Sequence, residues 1–175
     1  MSDIEKRFVE TLTSWLVSFP FDLKVAYEAA ADENLPPEAR ELAVGAIIYA
    51  VSPSDLISDK LDFLSYTDDC ILLRIALNEM VKNADTNEDI AFFKSRFPEF
   101  FDNLQDGLNI CADYMGELFT WLNSKLDYLK GLQYRGKKVH DYLNDDEASE
   151  FLYEEGLGFR TEYPVDGELL ADQFK

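Results

Sequence analysis

Apolar residues recur at every third or fourth position along most of this chain, and the places where the rhythm breaks predict its helices. Ile4, Phe8, Leu12, Trp15, Leu16 and Phe19 form the first such stripe, and Ser2-Asp3-Ile4-Glu5 ahead of it has the spacing of a capping box. Pro20 predicts a stop, with Asp22 capping a second, short helix that carries Leu23, Ala26, Tyr27 and Ala30. After the break at Asn34-Leu35-Pro36-Pro37, a third helix runs to about Val51. Pro is well tolerated at a first helical position, and this segment is apolar on most sides, as a central core helix would be. Ser52-Pro53-Ser54-Asp55 ends it. A fourth helix is expected from about Tyr66 to Val81, and a fifth opens at Thr86 or Asn87 with Ile90, Phe93 and Phe97. Pro98 marks a further break, because the residue before a proline is steered away from helical geometry.

Beyond Pro98 the stripe is unusually long. Phe101, Leu104, Leu108, Cys111, Met115, Leu118, Leu122, Leu126 and Leu129 follow one another at steps of three or four, which predicts one long helix over about residues 98–130. Gly107 and Gly116 lie inside it, each costing about 1 kcal/mol against alanine, so a local kink or a close helix contact is expected there. Such a stripe either packs lengthwise on the other helices or serves as a seam between two copies. Asn144-Asp145-Asp146-Glu147 caps a last short helix through Tyr153, and residues 156–175 read as an irregular tail whose apolar residues dock it on the body. The expectation is an all-α, single-domain bundle of about six or seven helices, with residues 1–155 as the domain and 156–175 as its tail.

Composition agrees with a folded chain: 47% of the 175 residues are hydrophobic, with 13 Phe and 9 Tyr, enough to bury a core. Charge narrows the partners. Sixteen basic against 35 acidic residues give a net −19, which argues against nucleic acid or an anionic membrane as the main partner. The bases cluster, with Lys125, Lys130, Arg135, Lys137 and Lys138 between residues 123 and 140, next to a strongly acidic C-terminal block; the two blocks are expected to attract each other across a turn. The longest apolar runs, at 42–51 and 70–77, are too short to span a bilayer, and Arg74 interrupts the second. Two cysteines, Cys70 and Cys111, fall in helical patterns and make no disulfide framework. With no apolar leader near the acidic N-terminus, a reduced, cytoplasmic, soluble protein is expected.

The candidate chemistry lies between the third and fourth helices. Asp55, Asp59 and Asp62 share i, i+4, i+7 spacing, and Asp68 and Asp69 occupy the first turn of the following helix, where the dipole favours negative charge. Oxygen donors of this kind suit Mg²⁺, Ca²⁺ or Mn²⁺, with Asp55, Asp59, Asp68 and Asp69 as candidate ligands. Helix capping is the competing account, and acid–base catalysis a third. The same stretch, Tyr49-Ala-Val-Ser-Pro-Ser-Asp-Leu-Ile-Ser-Asp59 and then Tyr66-Thr-Asp-Asp69, resembles the signature of the YkvA-like bacterial domain of unknown function, over about residues 35–80. The resemblance implies a helical hairpin, here 35–82, with an acidic end, and no known reaction. Ala50, Ser54, Ser58 and Ser65 depart from the family pattern, and Lys60 and Asp62 make the spacer more polar. Some relatives are membrane-associated; these replacements predict a hairpin that stays in water.

Other motifs fail on spacing. Asp85-Thr-Asn87-Glu-Asp89 begins like a calcium loop, but Ile90 stands at the glycine position and Arg96 at the bidentate glutamate. His140 is the only histidine, so no His-pair metal motif exists within one chain. Two function classes follow. The first is a non-enzymatic interaction or regulatory module that engages a protein partner or a second copy, with Leu118 and Leu122 on the long stripe and Lys137 and Lys138 in the basic block as candidate contacts. The second is a divalent-cation-binding protein, or a metal-dependent hydrolase, that uses the aspartates.

Overall fold

The computed structural model describes residues 1–52, 67–157 and 167–174. Its architecture is all-α, with one two-stranded ribbon. In chain order the helices are α1 (Asp3–Ala31), α2 (Pro37–Val51), α3 (Thr67–Met80), α4 (Glu88–Ser95), α5 (Pro98–Phe101), α6 (Leu104–Met115), α7 (Glu117–Asn123) and α8 (Leu126–Lys130). The strands β1 (Gln133–Tyr134) and β2 (Lys137–Lys138) follow, then α9 (Val139–Leu143), α10 (Asp146–Leu157) and α11 (Gly167–Gln173).

Local chemistry sets the helix starts. The Ser2–Glu5 capping box is formed, Pro37 opens α2, and the Asn87 side chain accepts from the Asp89 and Ile90 amides at the head of α4. Asp145 Oδ1 accepts from the Ala148 amide at 3.0 Å to cap α10. Helix α2 is the centre of the bundle: residues 42–51 are buried without interruption, and α1, α3, α8, α9 and α10 all pack on it.

Two sequence expectations are corrected. Pro20 does not stop the first helix; α1 continues through it for a further eleven residues to Ala31. A proline inside a helix removes one hydrogen bond and costs about 3 kcal/mol. Here Trp15, Leu16 and Phe19 before it and Leu23, Val25 and Ala26 after it are all buried, so packing on both sides of the proline outweighs the local loss. Asp22 accordingly caps nothing and lies in the helix interior.

The long helix over 98–130 is the second correction, since the stretch is divided into α5, α6, α7 and α8. Gly116 makes one of the breaks. It has φ of 56°, a region that suits glycine, and it is both the end of α6 and the cap of α7. Gly107, by contrast, stays helical and lies against the Trp15 ring. The apolar stripe survives the breaks, because Leu104, Leu108, Cys111, Met115, Leu122 and Leu129 all remain in the core. Each segment re-aims so that its share of the stripe faces inward.

The basic block forms a hairpin that the sequence reading did not anticipate. β1 pairs antiparallel with β2, and both loop residues, Arg135 and Gly136, have positive φ, as a type I′ turn requires. The expected attraction between blocks is present as Lys137 Nζ to Asp145 at 3.2 Å and Arg135 to Glu155 at 3.3 Å. At the C-terminus α11 packs on α1, where the buried Phe174 meets Phe8 edge-on at 5.5 Å and the Tyr114 hydroxyl donates to the Ala171 carbonyl at 2.9 Å. Residues 158–166 of the expected tail lie outside the described residues.

Candidate functional site

The polar residues of the interior gather where α1, α2 and α3 meet. Helix α3 enters the core at its first turn, so Thr67, Asp68 and Asp69 are buried instead of facing water, with Asp68 at 0% and Asp69 at 3% exposure. A buried carboxylate must be hydrogen-bonded or paired, and the Tyr49 hydroxyl, reaching from α2, donates to Asp68 Oδ2. Of the four candidate cation ligands, the fold therefore takes Asp68 and Asp69 into the core. Asp55 and Asp59 lie outside the described residues, as does Asp62. Among the described residues no three acidic, histidine or cysteine side chains converge as a metal-binding group.

One helical turn further along α3 is an ion pair between α3 and α1. Arg74 Nη2 donates to Asp22 Oδ2 at 2.7 Å and to Ser18 Oγ at 3.1 Å, and Ser18 Oγ itself donates to Asp22 Oδ2 at 3.2 Å. The guanidinium lies between two rings, 4.5 Å from the centre of Trp15 and 4.6 Å from that of Phe100, an arrangement in which the ring faces attract the cation. The pair is one-armed: among the described residues, Asp22 Oδ1 and Arg74 Nε are buried with no hydrogen-bond partner. Burial pushes the Asp22 carboxyl up to about 6, outweighing the opposing pull of Arg74, and burial likewise draws Arg74 down against the field of Asp22.

Both cysteines adjoin this pair and neither is activated. Burial holds the Cys70 thiol well above its ordinary range, reinforced by Asp22, Asp69 and Asp68. Burial also pushes Cys111 up to about 12, only partly offset by Arg74. A reactive thiol needs the opposite shift and some access to solvent.

The comparisons with known proteins come back empty. No family model, no characterised protein and no solved structure matches the chain. Tyr49 and Asp68, both in the stretch 49–69, touch.

The candidate interaction residues separate. Leu122 is fully buried within its own chain and Leu118 is half-buried against the core, so neither offers an open seam. Lys137 is held by Asp145, and Lys138 is exposed on β2. A concave surface does exist elsewhere. A groove of about 600 Å³ opens between the start of α2, the end of α3 and α8. Leu42, Met80, Ile90 and Leu126 provide its apolar lining, with Glu38, Glu79 and Asp127 among its polar residues. Its two lysines already have acidic neighbours: Lys82 is bonded to Glu79, and Lys130 lies 3.7 Å from Asp127. No spacing in the sequence brings residues 38, 82 and 127 together, so this groove was invisible before folding. The Asp22–Arg74 pair left faint signals, a charge interrupting an apolar run and an acid in phase with the Phe19–Leu23–Ala26 stripe.

Proposed function

We propose that this chain is a non-enzymatic, regulatory interaction module that binds a basic segment of a protein partner in the groove between α2, α3 and α8. The observation that carries this reading is the groove itself, an apolar lining edged by Glu38, Glu79 and Asp127 on a chain of net charge −19. With Lys82 and Lys130 each already beside an acid, the groove keeps Glu38 to engage a cation, and the field of the whole chain steers basic partners toward it. Apolar contacts in the floor would supply affinity and the carboxylates orientation, the division usual at a helix-in-groove interface. The exposed Trp121, on α7 two residues before the lining Asn123, gives a fluorescence reporter close to the site.

A labelled amphipathic peptide of alternating Leu and Lys faces is the probe. It is expected to bind with an affinity that falls as salt is raised, while a Leu–Glu peptide of the same pattern should not bind. Glu38→Lys with Asp127→Lys is expected to weaken binding about tenfold or more by placing like charge against the peptide. Equal binding of the two peptides, or binding untouched by the double substitution, would overturn the assignment.

A further inference from the structure

We propose that Asp22 is a proton-binding site inside the fold, through which the packing of α1 on α3 is coupled to pH. The geometry provides a seat for one proton. Asp22 Oδ2 is engaged by Arg74 Nη2 and Ser18 Oγ, whereas Oδ1 is buried and meets no donor among the described residues. A proton on Oδ1 removes the buried negative charge while Oδ2 goes on accepting from Arg74. Burial favours that neutralisation, since desolvation acts on the Asp22 carboxyl more strongly than the opposing pull of Arg74.

Asp68 and Asp69 of α3 act on the neighbouring Cys70, and the other elements contribute further groups. From α2 the Tyr49 hydroxyl is committed to Asp68, and from α6 comes the Cys111 thiol, held protonated by burial. From α5 Phe100 presents only a ring. The acids of α10, Glu150 and Asp146, act on Tyr27 further along α1. Location makes the proton consequential, because Pro20 removes a backbone hydrogen bond from α1 just before Asp22. The tie to Arg74 thus fastens α1 to α3 two residues beyond the proline.

The sign follows from linkage. Desolvation raises the folded-state carboxyl from the usual 3.8 to about 6. The stabilisation from binding this proton is therefore complete below the unfolded value and is lost as pH rises through about 6. Between pH 7 and pH 4.5 the fold should tighten where most proteins begin to loosen. Relief of general repulsion among the surface acids would act in the same direction, so the comparison must be with Asp22→Asn, which keeps the shape and cannot titrate.

The wild-type protein is expected to gain roughly 4–8 °C in melting temperature relative to Asp22→Asn over that range. In wild-type protein carrying ¹³C-labelled aspartate, the Asp22 carboxyl resonance should titrate near pH 6, a readout that does not require the variant to fold. Parallel melting curves for the two proteins, or an Asp22 resonance that titrates at or below about pH 4, would overturn the proposal.

Discussion

Replacing Arg74 by methionine is expected to destabilise the fold by about 3–5 kcal/mol, read as a fall in the urea midpoint at unchanged slope. The residue is buried, and its guanidinium is the cation that Asp22 and Ser18 share. Methionine has a similar reach and fills the slot between Trp15 and Phe100, so the loss reports charge more than volume. What remains is a carboxylate at 0% exposure with no counterion, which must then be protonated or draw water into the core. The informative control is the double variant Arg74→Met with Asp22→Leu. A buried ion pair replaced on both sides by apolar groups is often close to neutral, so the double variant should be more stable than Arg74→Met alone. A single variant that loses less than about 1 kcal/mol would mean that water already screens the pair as it screens surface ion pairs.

Gly45→Val is expected to cost several kcal/mol and to abolish peptide binding in the groove. A glycine within a helix is normally a liability of about 1 kcal/mol against alanine, and Gly45 lies in the middle of the buried run of α2. It is there because α8 crosses directly over it. A Cβ at position 45 would press on the Leu129 carbonyl oxygen and stand 2.7 Å from the carbonyl carbon. The obstacle is backbone, which cannot swing aside as a flexible side chain can. Overpacking of this kind costs about 1–3 kcal/mol even for one or two added methyl groups. Relief requires α8 to lift, and α8 carries Leu126, Asp127 and Lys130 of the groove. Thermal melting and the peptide titration test the two consequences separately. If Gly45→Ala melts at or above the parent temperature, α8 is not held against α2 and the groove has no fixed wall.

The sequence reading of the fold succeeded where the controlling interactions are local. Ser2, Pro37 and Asn87 all stand at helix starts, since a cap needs only partners two or three residues away. The same local logic failed at Pro20. The stripe Leu12, Leu16, Phe19, Leu23, Ala26, Ala30 runs through the proline in unbroken phase and is buried throughout, and that continuity was the better guide. At 98–130 the error ran the other way. An unbroken stripe suggested an unbroken helix, but periodicity reports which residues face inward and not whether the axis stays straight. Leu122 and Leu129 are buried on short segments that each took their own direction.

Taken alone, the order of residues determined the helical class, the core-facing residues of most segments and the acidic character of the surface, because each depends on composition or on neighbours within one or two turns. Tertiary structure alone decided that Asp22 would meet Arg74 across 52 positions and that Asp68 would lie under the Tyr49 hydroxyl. It also decided that a basic-looking block would become a small hairpin and that α2, α3 and α8 would enclose a groove. These outcomes depend on how whole helices cross, and the crossing is set by the joint packing of every buried face, a quantity no single stretch of sequence contains.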